Sequence, residues 1–428
     1  MNIPQSKWAR GSKLMKLAAD VVAREAQARL PGKVFEGAQR LALRVEQTRL
    51  LVETLSQMKG AAMKAGQLLG LEANDLFPPE VTEVLSRLQS EGSSLPFAQI
   101  DQILRRELGA NYALLSEISV EPVASASIGQ VHTATYKGQK LALKIQFPGI
   151  AQTIDSDVAL LQNLVEKLVL LTRKKADLEA LFQEIRHTLH QETDYIAELN
   201  FMQQYRTNFQ DLPGFRIPTP VPELSTTQVL AMEFLEGQRM KDWATLAPQA
   251  EKQIVGERMM QLFLHEYLAA GLVQTDPNWG NFLISHESDL IVLDFGASKT
   301  YSKEFRKTYK EVLSLTMNRQ HPELLRVSEG FGLIDPREPA DVQAAYLHMM
   351  DVVIAPFRHE GLFDFAHETY SEASKKASLD FAKSLKFSPP PRDLIFLHRK
   401  LGGVFQTLKR LGVKLDLQDI WKEMMRDR

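Results

Sequence analysis

Asp294 closes the apolar run Leu290-Ile291-Val292-Leu293 and is followed by Phe295 and Gly296. A carboxylate delivered by a strand in this way can hold Mg2+ against phosphate oxygens; a cap or turn residue is the plainer reading. Asn281 lies thirteen residues earlier and Asp276 five before that, in Gln274-Thr275-Asp276-Pro277-Asn278-Trp279-Gly280-Asn281. Ala142-Leu143-Lys144 places an ammonium group near the end of an alternating run, where it can neutralise nucleotide phosphates or stand in solvent. A phosphate-binding lysine of this kind needs a carboxylate to fix it. Glu192, Asp194 and Glu198 offer three, of which Asp194 and Glu198 share a helix face at i,i+4.

Asp276-x4-Asn281 followed by Asp294-Phe295-Gly296 has the spacing of a protein-kinase catalytic loop and metal-binding loop. Thirteen residues before Lys144 stands Val131, at the end of Ala124-Ser125-Ala126-Ser127-Ile128-Gly129-Gln130-Val131. Laid on the kinase loop G-x-G-x-x-G-x-V, Gly129 and Val131 match and the first two glycines are alanines. Val229-Leu230-Ala231-Met232-Glu233-Phe234-Leu235-Glu236-Gly237 runs from an apolar strand into polar residues, so Glu233, Phe234 and Leu235 are candidates to offer backbone groups to adenine.

The elements that must position these residues follow from periodicity. Residues 37–110 read as helical, with breaks at Phe77-Pro78-Pro79 and Gly92-Ser93-Ser94. Val120–Val123, Val131–Tyr136 and Lys140–Phe147 read as strands, the last two joined by a Tyr136-Lys137-Gly138-Gln139 turn, with 124–130 as a loop before them. Helices are expected over Asp155–Thr172 and, unbroken, over Leu178–Asn208. Strands are expected at Thr219–Pro222 and Gln228–Phe234. From Pro248 the chain reads as helical apart from Leu290–Leu293, with a late turn at Ser388-Pro389-Pro390-Pro391. Helices, a small sheet and a helical half define an α+β protein with two lobes, and ligands favour the cleft between such lobes.

Composition narrows the chemistry. The 428 residues carry 51 Lys and Arg against 53 Asp and Glu, a net charge of −2, so no nucleic-acid partner is expected. The absence of cysteine excludes disulfides, thiolate zinc, iron–sulfur clusters and thiol catalysis. No run of 18 apolar residues occurs; Met259–Val273 is interrupted by His265 and Glu266. Neither a spanning helix nor a secretory leader is therefore expected, and a cytoplasmic location, peripheral on an inner membrane, fits. Residues 1–50 hold ten Lys or Arg against four Asp or Glu. Within them Lys13–Leu30 reads as an amphipathic helix with Lys13, Lys16, Arg24 and Arg29 on its basic face. It can lie on an anionic membrane or pack on the domain.

Taken together, the motifs resemble the UbiB (AarF, ADCK, Coq8-like) family of atypical protein-kinase-like proteins. The matching residues are Lys64-Ala65-Gly66-Gln67, Ser127-Ile128-Gly129-Gln130-Val131-His132, Lys144-Ile145-Gln146-Phe147-Pro148-Gly149, Glu192-x-Asp194-Tyr195 with Glu198, and Gln274–Asn281. Asp294-Phe295-Gly296-Ala297 and Leu397-His398-Arg399-Lys400-Leu401-Gly402-Gly403 complete the set. The Gln-Thr-Asp-Pro-Asn-Trp form looks most like the Coq8 branch. The resemblance implies a two-lobed protein-kinase-like fold with an N-terminal all-helical extension. Its implied parts are residues 1–112 with K-x-G-Q, an N-lobe at 113–236 with a small antiparallel sheet and a helical insertion, and a mainly helical C-lobe at 237–428. By the same resemblance Lys64, Gly66 and Gln67 lie over the cleft and Glu192 and Asp194 face them. Glu198 pairs with Lys144, Asp276 is the catalytic-loop aspartate, and Asn281 and Asp294 hold Mg2+. ATP or ADP with Mg2+ is the implied cofactor set, and ubiquinone (coenzyme Q) biosynthesis the implied setting, with ATPase rather than clear protein-kinase activity.

Three departures are visible. Ser125 stands where the family has alanine, Thr275 replaces the arginine of H-R-D, and Asn278 occupies the position of a phosphate-steadying lysine. The last two point away from phosphoryl transfer to a protein. The leading expectation is an ATP-hydrolysing, Mg2+-dependent kinase-like enzyme that supports quinone biosynthesis. The alternatives are a kinase acting on a small lipid-like molecule or on protein, and a nucleotide-gated scaffold for quinone or lipid that does not turn over. Implied partners are the nucleotide, a quinone-precursor or lipid ligand, a membrane surface and ubiquinone-biosynthesis proteins.

Overall fold

Period-two alternation builds the first sheet. Along Gln139–Gln146, Leu141, Leu143 and Ile145 are buried on one face, which leaves Ala142 and Lys144 on the other. Lys137 and Gly138 both take left-handed φ (49° and 78°), the backbone that a two-residue hairpin turn requires, so Tyr136 pairs with Gln139 as expected. The computed structural model describes residues 65, 66, 68, 94–126, 128–172, 178–387 and 392–425. They fall into two compact units: one holds the described residues up to Asn200 plus Thr219–Phe234, the other Phe201–Pro218 and the described residues from Leu235 onward. The K-x-G-Q residues Lys64 and Gln67, the loop residue Ser127, the basic helix at Lys13–Leu30 and the turn at 388–391 lie outside the described residues.

The first unit starts with helix α1 (Phe97–Leu108), which buries Ile100, Ile103, Leu104 and Leu108. Its antiparallel five-stranded sheet comprises β1 (Leu115–Ser116), β2 (Ala124–Ala126), β3 (Gly129–Tyr136), β4 (Gln139–Gln146) and β6 (Val229–Glu233). The order is β1-β3-β4-β6, with β2 also on β3. Helices α2 (Ile150–Thr172) and α3 (Leu178–Glu192) pack through Val158, Leu161, Phe182, Ile185 and Leu189.

Two expectations need correction here. Val120–Val123 is not a strand; the strand is Ala124–Ala126, because Ala124, Ser125 and Ala126 pair with Val131, Gln130 and Gly129 in a tight hairpin. Residues 124–126 are therefore sheet rather than loop. The helix expected over Leu178–Asn208 is two helices, α3 and α4 (Tyr195–Phe209), divided at Thr193-Asp194. Asp194 breaks the run by capping: its Oδ1 accepts the Ala197 amide at 2.9 Å, a local bond that competes with helix continuation.

The second unit carries a four-stranded sheet in the order β5 (Phe215–Arg216), β10 (Leu290–Val292), β9 (Phe282–Ile284) and β7 (Gln238–Arg239), with β10 parallel to β5. Between them run α5 (Met240–Leu246) and α6 (Gln249–Leu264). Helix α6 loosens into a π-helical turn, His265–Ala270, and stops at Gly271 with φ +65°. Strand β8 (Leu272–Gln274) follows and pairs with β11 (Ser298–Thr300). Helices α7 (Lys303–Met317), α8 (His321–Phe331) and α9 (Ala340–Arg358) share a core of Val312, Leu324, Ile334, Val342, Tyr346 and Met350. Strand β12 (Leu362–Asp364), α10 (Glu368–Ser384), α11 (Arg392–Leu411), β13 (Lys414–Asp416) and α12 (Leu417–Met425) complete it.

This half holds more strands than periodicity suggested, since β8, β9 and β11 are only three residues each. Thr219–Pro222 likewise forms a single bridge, Pro220 to Met232, rather than a strand. The α+β class stands. No helix among the described residues is long and apolar enough to cross a membrane.

Candidate functional site

In the first unit, register sets the lysine. On β4, Lys144 lies between Val131 of β3 and Leu230 of β6. Its Nζ donates to both carboxylate oxygens of Glu198, at 2.8 and 2.9 Å. Glu198 sits in the first turn of α4 and is 1% exposed, the lysine side chain 13%. Tyr195, one turn earlier, lies beneath the ammonium group, 5.1 Å from its ring centroid. Two charges removed from water this far require mutual pairing, and here the pairing is bidentate. Of the three carboxylates offered by the sequence, Glu198 is therefore the partner. Asp194 is the exposed cap of α4, and Glu192 is half-buried at the end of α3.

Gly129 pays for the closeness of β3 and β4: a Cβ there would overlap the Ile145 carbonyl. Beside it, Gln130 and His132 are fully buried. Gln130 Oε1 accepts the Leu95 amide at 2.6 Å, and its Nε2 donates to the Leu95 carbonyl at 3.3 Å and to His132 Nε2 at 2.7 Å. His132 Nδ1 in turn donates to the Ser119 carbonyl at 2.7 Å, so the ring is neutral, and burial holds its pKa down. Of the adenine candidates, the Glu233 amide is bonded to the Thr219 carbonyl at 2.8 Å and the Phe234 amide to the Lys140 carbonyl at 3.0 Å. Leu235 is 7% exposed. Among the K-x-G-Q residues, Gly66 is helical and buried.

In the second unit, β8 delivers Asp276 and β10 delivers Asp294. Asn281 Nδ2 donates to Asp276 Oδ2 at 3.1 Å and to the Asp276 carbonyl at 3.2 Å. The Asn278 amide donates to Asp276 Oδ1 at 3.3 Å, and Asn278 Oδ1 caps the next turn by accepting from Gly280 at 2.9 Å. The Leu293 amide donates to the Asn281 carbonyl at 3.0 Å, tying the two motifs together. Asp294 Oδ1 accepts the Gly296 amide at 3.0 Å, and Phe295 is fully buried against Tyr205, ring centroids 4.9 Å apart.

The donor set suits Mg2+. Asn281 uses its N–H group on Asp276, so its amide oxygen and the Asp294 carboxylate are both oxygen donors, the kind that hard cations take. No group of three His, Cys, Asp or Glu able to hold a metal occurs among the described residues.

A buried polar cluster was not foreseen. Lys400 of α11 and Glu266 of the π-helical turn are both fully buried and pair at 3.0 Å. Tyr205 donates to Glu266 Oε1 at 2.9 Å, and Lys400 reaches Gln274 Oε1 at 3.2 Å. Burial pushes the Glu266 carboxyl up against the opposing pull of Lys400, and lifts the Tyr205 phenol well above its usual range. The sequence carries signals for it: Glu266 interrupts an apolar run, and Lys400 falls in a motif to which spacing assigns no role.

These features define a class, and comparison with known proteins agrees with it. Residues 87–328 match the ABC1 atypical kinase-like domain, and the chain belongs to that family. It is similar to the atypical kinase COQ8, mitochondrial, of Saccharomyces cerevisiae, at 32% identity over 87% of this chain and 75% of the relative. It is also similar to COQ8B, mitochondrial, of Rattus norvegicus, at 34% over 87% and 71%. The resemblance to the Coq8 branch thus holds. Among solved structures, Rv3197 of Mycobacterium tuberculosis, determined as an erythromycin complex, superposes with a TM-score of 0.63 at 24% identity. That match covers 90% of this chain and 97% of that one, a likeness of fold.

Proposed function

We propose that this protein is a Mg2+-dependent, ATP-hydrolysing atypical kinase that supports ubiquinone biosynthesis. The observation that carries the reading is the sealed, bidentate Lys144–Glu198 pair. An ammonium group held in place by a buried carboxylate is what a phosphate-binding lysine needs before nucleotide arrives. Lys144 would carry the α and β phosphates, and the Leu235 amide is the hinge group we assign to adenine. Asn281 and Asp294 would hold Mg2+, which neutralises charge on the phosphate oxygens when bound. Asp276, with its carboxylate steadied by Asn281 and the Asn278 amide, orients the attacking group as a hydrogen-bond acceptor. Lys64 and Gln67, with Glu192 and Asp194, are assigned to limiting what can enter.

Hydrolysis is favoured over transfer to protein because Thr275 is committed elsewhere. Its hydroxyl donates to the Ala297 carbonyl at 2.7 Å and its amide to the same oxygen at 2.9 Å, where a kinase arginine would be free for a phosphorylated loop. The quinone setting is carried over from the Coq8-like relatives. We keep the expectation of a cytoplasmic protein lying peripherally on an inner membrane; both relatives are named as mitochondrial, and fractionation of the native host tests it.

The decisive experiment is a thermal-shift titration followed by steady-state hydrolysis. ATP with Mg2+ at about a hundred times Kd should stabilise the folded protein by roughly 2.7 kcal/mol, with little effect from ATP in excess chelator. A folded protein that neither ATP nor ADP stabilises in the presence of Mg2+ would overturn the reading.

A further inference from the structure

Helix α11 carries the Lys400-Leu401-Gly402-Gly403 run, which the functional reading above leaves without a task. Lys400, Gly403, Thr407 and Arg410 are spaced three, four and three residues apart, so they share one helix face. Each meets the segment from Gln274 to Asn281. Lys400 Nζ donates to Gln274 Oε1 at 3.2 Å, two residues before Asp276. Gly403 lies so close to Pro277 that a Cβ would overlap the proline ring. Thr407 Oγ1 accepts from Trp279 Nε1 at 2.8 Å, and the Arg410 guanidinium lies 5.4 Å from the Trp279 ring centroid.

We infer that helix α11 positions the Asp276–Asn281 loop, with Lys400 as the positioning residue that registers the strand delivering Asp276 and Gly403 setting how near Pro277 can come. The inference rests on the assignment of Asp276 and Asn281 to phosphoryl chemistry. Burying Lys400 and Glu266 together gains little net stability over apolar residues, but it fixes one register, because a shifted strand would strand a charge away from water. The cluster also spans both motifs: Glu266 accepts from the Gln274 amide at 3.4 Å, while Tyr205, bonded to Glu266, packs on Phe295 beside Asp294. Displacing α11 therefore displaces the loop without touching a group that meets nucleotide.

The paired glycines supply the test with its own control. Nothing lies within 4 Å of a Cβ at Gly402, whereas one at Gly403 meets Pro277. Both substitutions to alanine favour the helix. The full chain, labelled with 5-fluorotryptophan, reports loop position through the Trp279 fluorine resonance, assigned with Trp279→Phe and recorded without nucleotide. Gly402→Ala should leave that resonance in place and kcat within about twofold. Gly403→Ala should shift the resonance and lower kcat by about 10–100-fold, with KM for ATP changed by less than about threefold. The charge-free pair Lys400→Met with Glu266→Gln should do the same while remaining folded.

An unmoved resonance, or an unchanged kcat, in folded Gly403→Ala or folded double variant would overturn the inference. Should one of them not fold, the other decides. Should both fail while Gly402→Ala folds, α11 is a core support and the positioning role is lost. If wild-type protein shows no nucleotide turnover, the functional reading fails, and the resonance still decides whether α11 sets the loop.

Discussion

Asn281 turns its side-chain amide back onto Asp276, donating from Nδ2 to Oδ2 at 3.1 Å and to the backbone carbonyl at 3.2 Å. One residue thereby closes the loop and aims the Asp276 carboxylate, and in the proposed function its remaining oxygen would be the one offered to a cation. Asn281→Ala removes all three effects. The Mg2+ concentration that gives half-maximal hydrolysis should rise about tenfold or more. A Mg2+ titration at saturating ATP checks this, and an unchanged midpoint would remove Asn281 from the metal.

Asp294 contributes differently. Its Oδ1 receives the Gly296 amide, a bond that asparagine's oxygen can keep. Asp294→Asn should therefore fold normally but lose metal-dependent hydrolysis, because only the charge that the proposed function assigns to a divalent ion is gone. Circular dichroism and a hydrolysis assay with and without Mg2+ separate the two. Full turnover in this variant would exclude the assigned role.

The Lys144–Glu198 pair predicts a non-additive stability change. Lys144→Met leaves a carboxylate that is 1% exposed without its cation, so unfolding free energy should fall by roughly 3–5 kcal/mol. Adding Glu198→Gln should restore most of the loss, since no buried charge remains. Neither variant should bind ATP. Urea unfolding of the four members of the cycle measures the coupling; a double-variant loss equal to the sum of the two single losses would mean that the pair is not coupled.

His132 sets an acid limit. Its Nε2 accepts from Gln130 and its Nδ1 donates to Ser119, so a second ring proton would face the Gln130 N–H group. The folded-state pKa is depressed below 6.5, so between that value and 6.5 the unfolded chain binds more protons than the folded one. Stability contributed by this neutral histidine is present above about pH 6.5 and is lost as pH falls through that window, by up to about 1.4 kcal/mol per pH unit. Urea midpoints in that interval should show the slope in wild type and a shallower one in His132→Gln. Equal slopes would contradict it.

How much of this was legible in the sequence depended on the range of the interaction. The Lys137-Gly138 turn and the alternation of Leu141, Leu143 and Ile145 are local, and they were read correctly from residue types. The choice among Glu192, Asp194 and Glu198 was open from spacing alone. It was settled by a cap: Asp194, bonded to Ala197, starts a new helix and so turns Glu198 inward. Ala124–Ala126 looked like loop because three small residues carry no apolar alternation; the strand exists because β3 offers it a partner. Least legible was Lys400, whose partner Glu266 lies 134 residues away and whose burial no local pattern announces. His265 and Glu266, which interrupt an apolar run in the sequence, are in the fold the polar anchors of that run: His265 Nε2 bonds the Asn208 carbonyl at 2.8 Å and Glu266 holds Lys400.

The parallel pairing of β5 with β10 has a consequence for how this chain can be cut and recombined. Phe201–Pro218 belongs with the later residues, whereas Thr219–Phe234 returns to the earlier ones. A fragment ended at 236 would carry Phe215–Arg216 with no neighbouring strand, and the complementary fragment would bare the edge of Leu290–Val292. A chimaera between relatives must therefore exchange three junctions at once. That constraint favours inheritance of the two halves as a block over their independent shuffling.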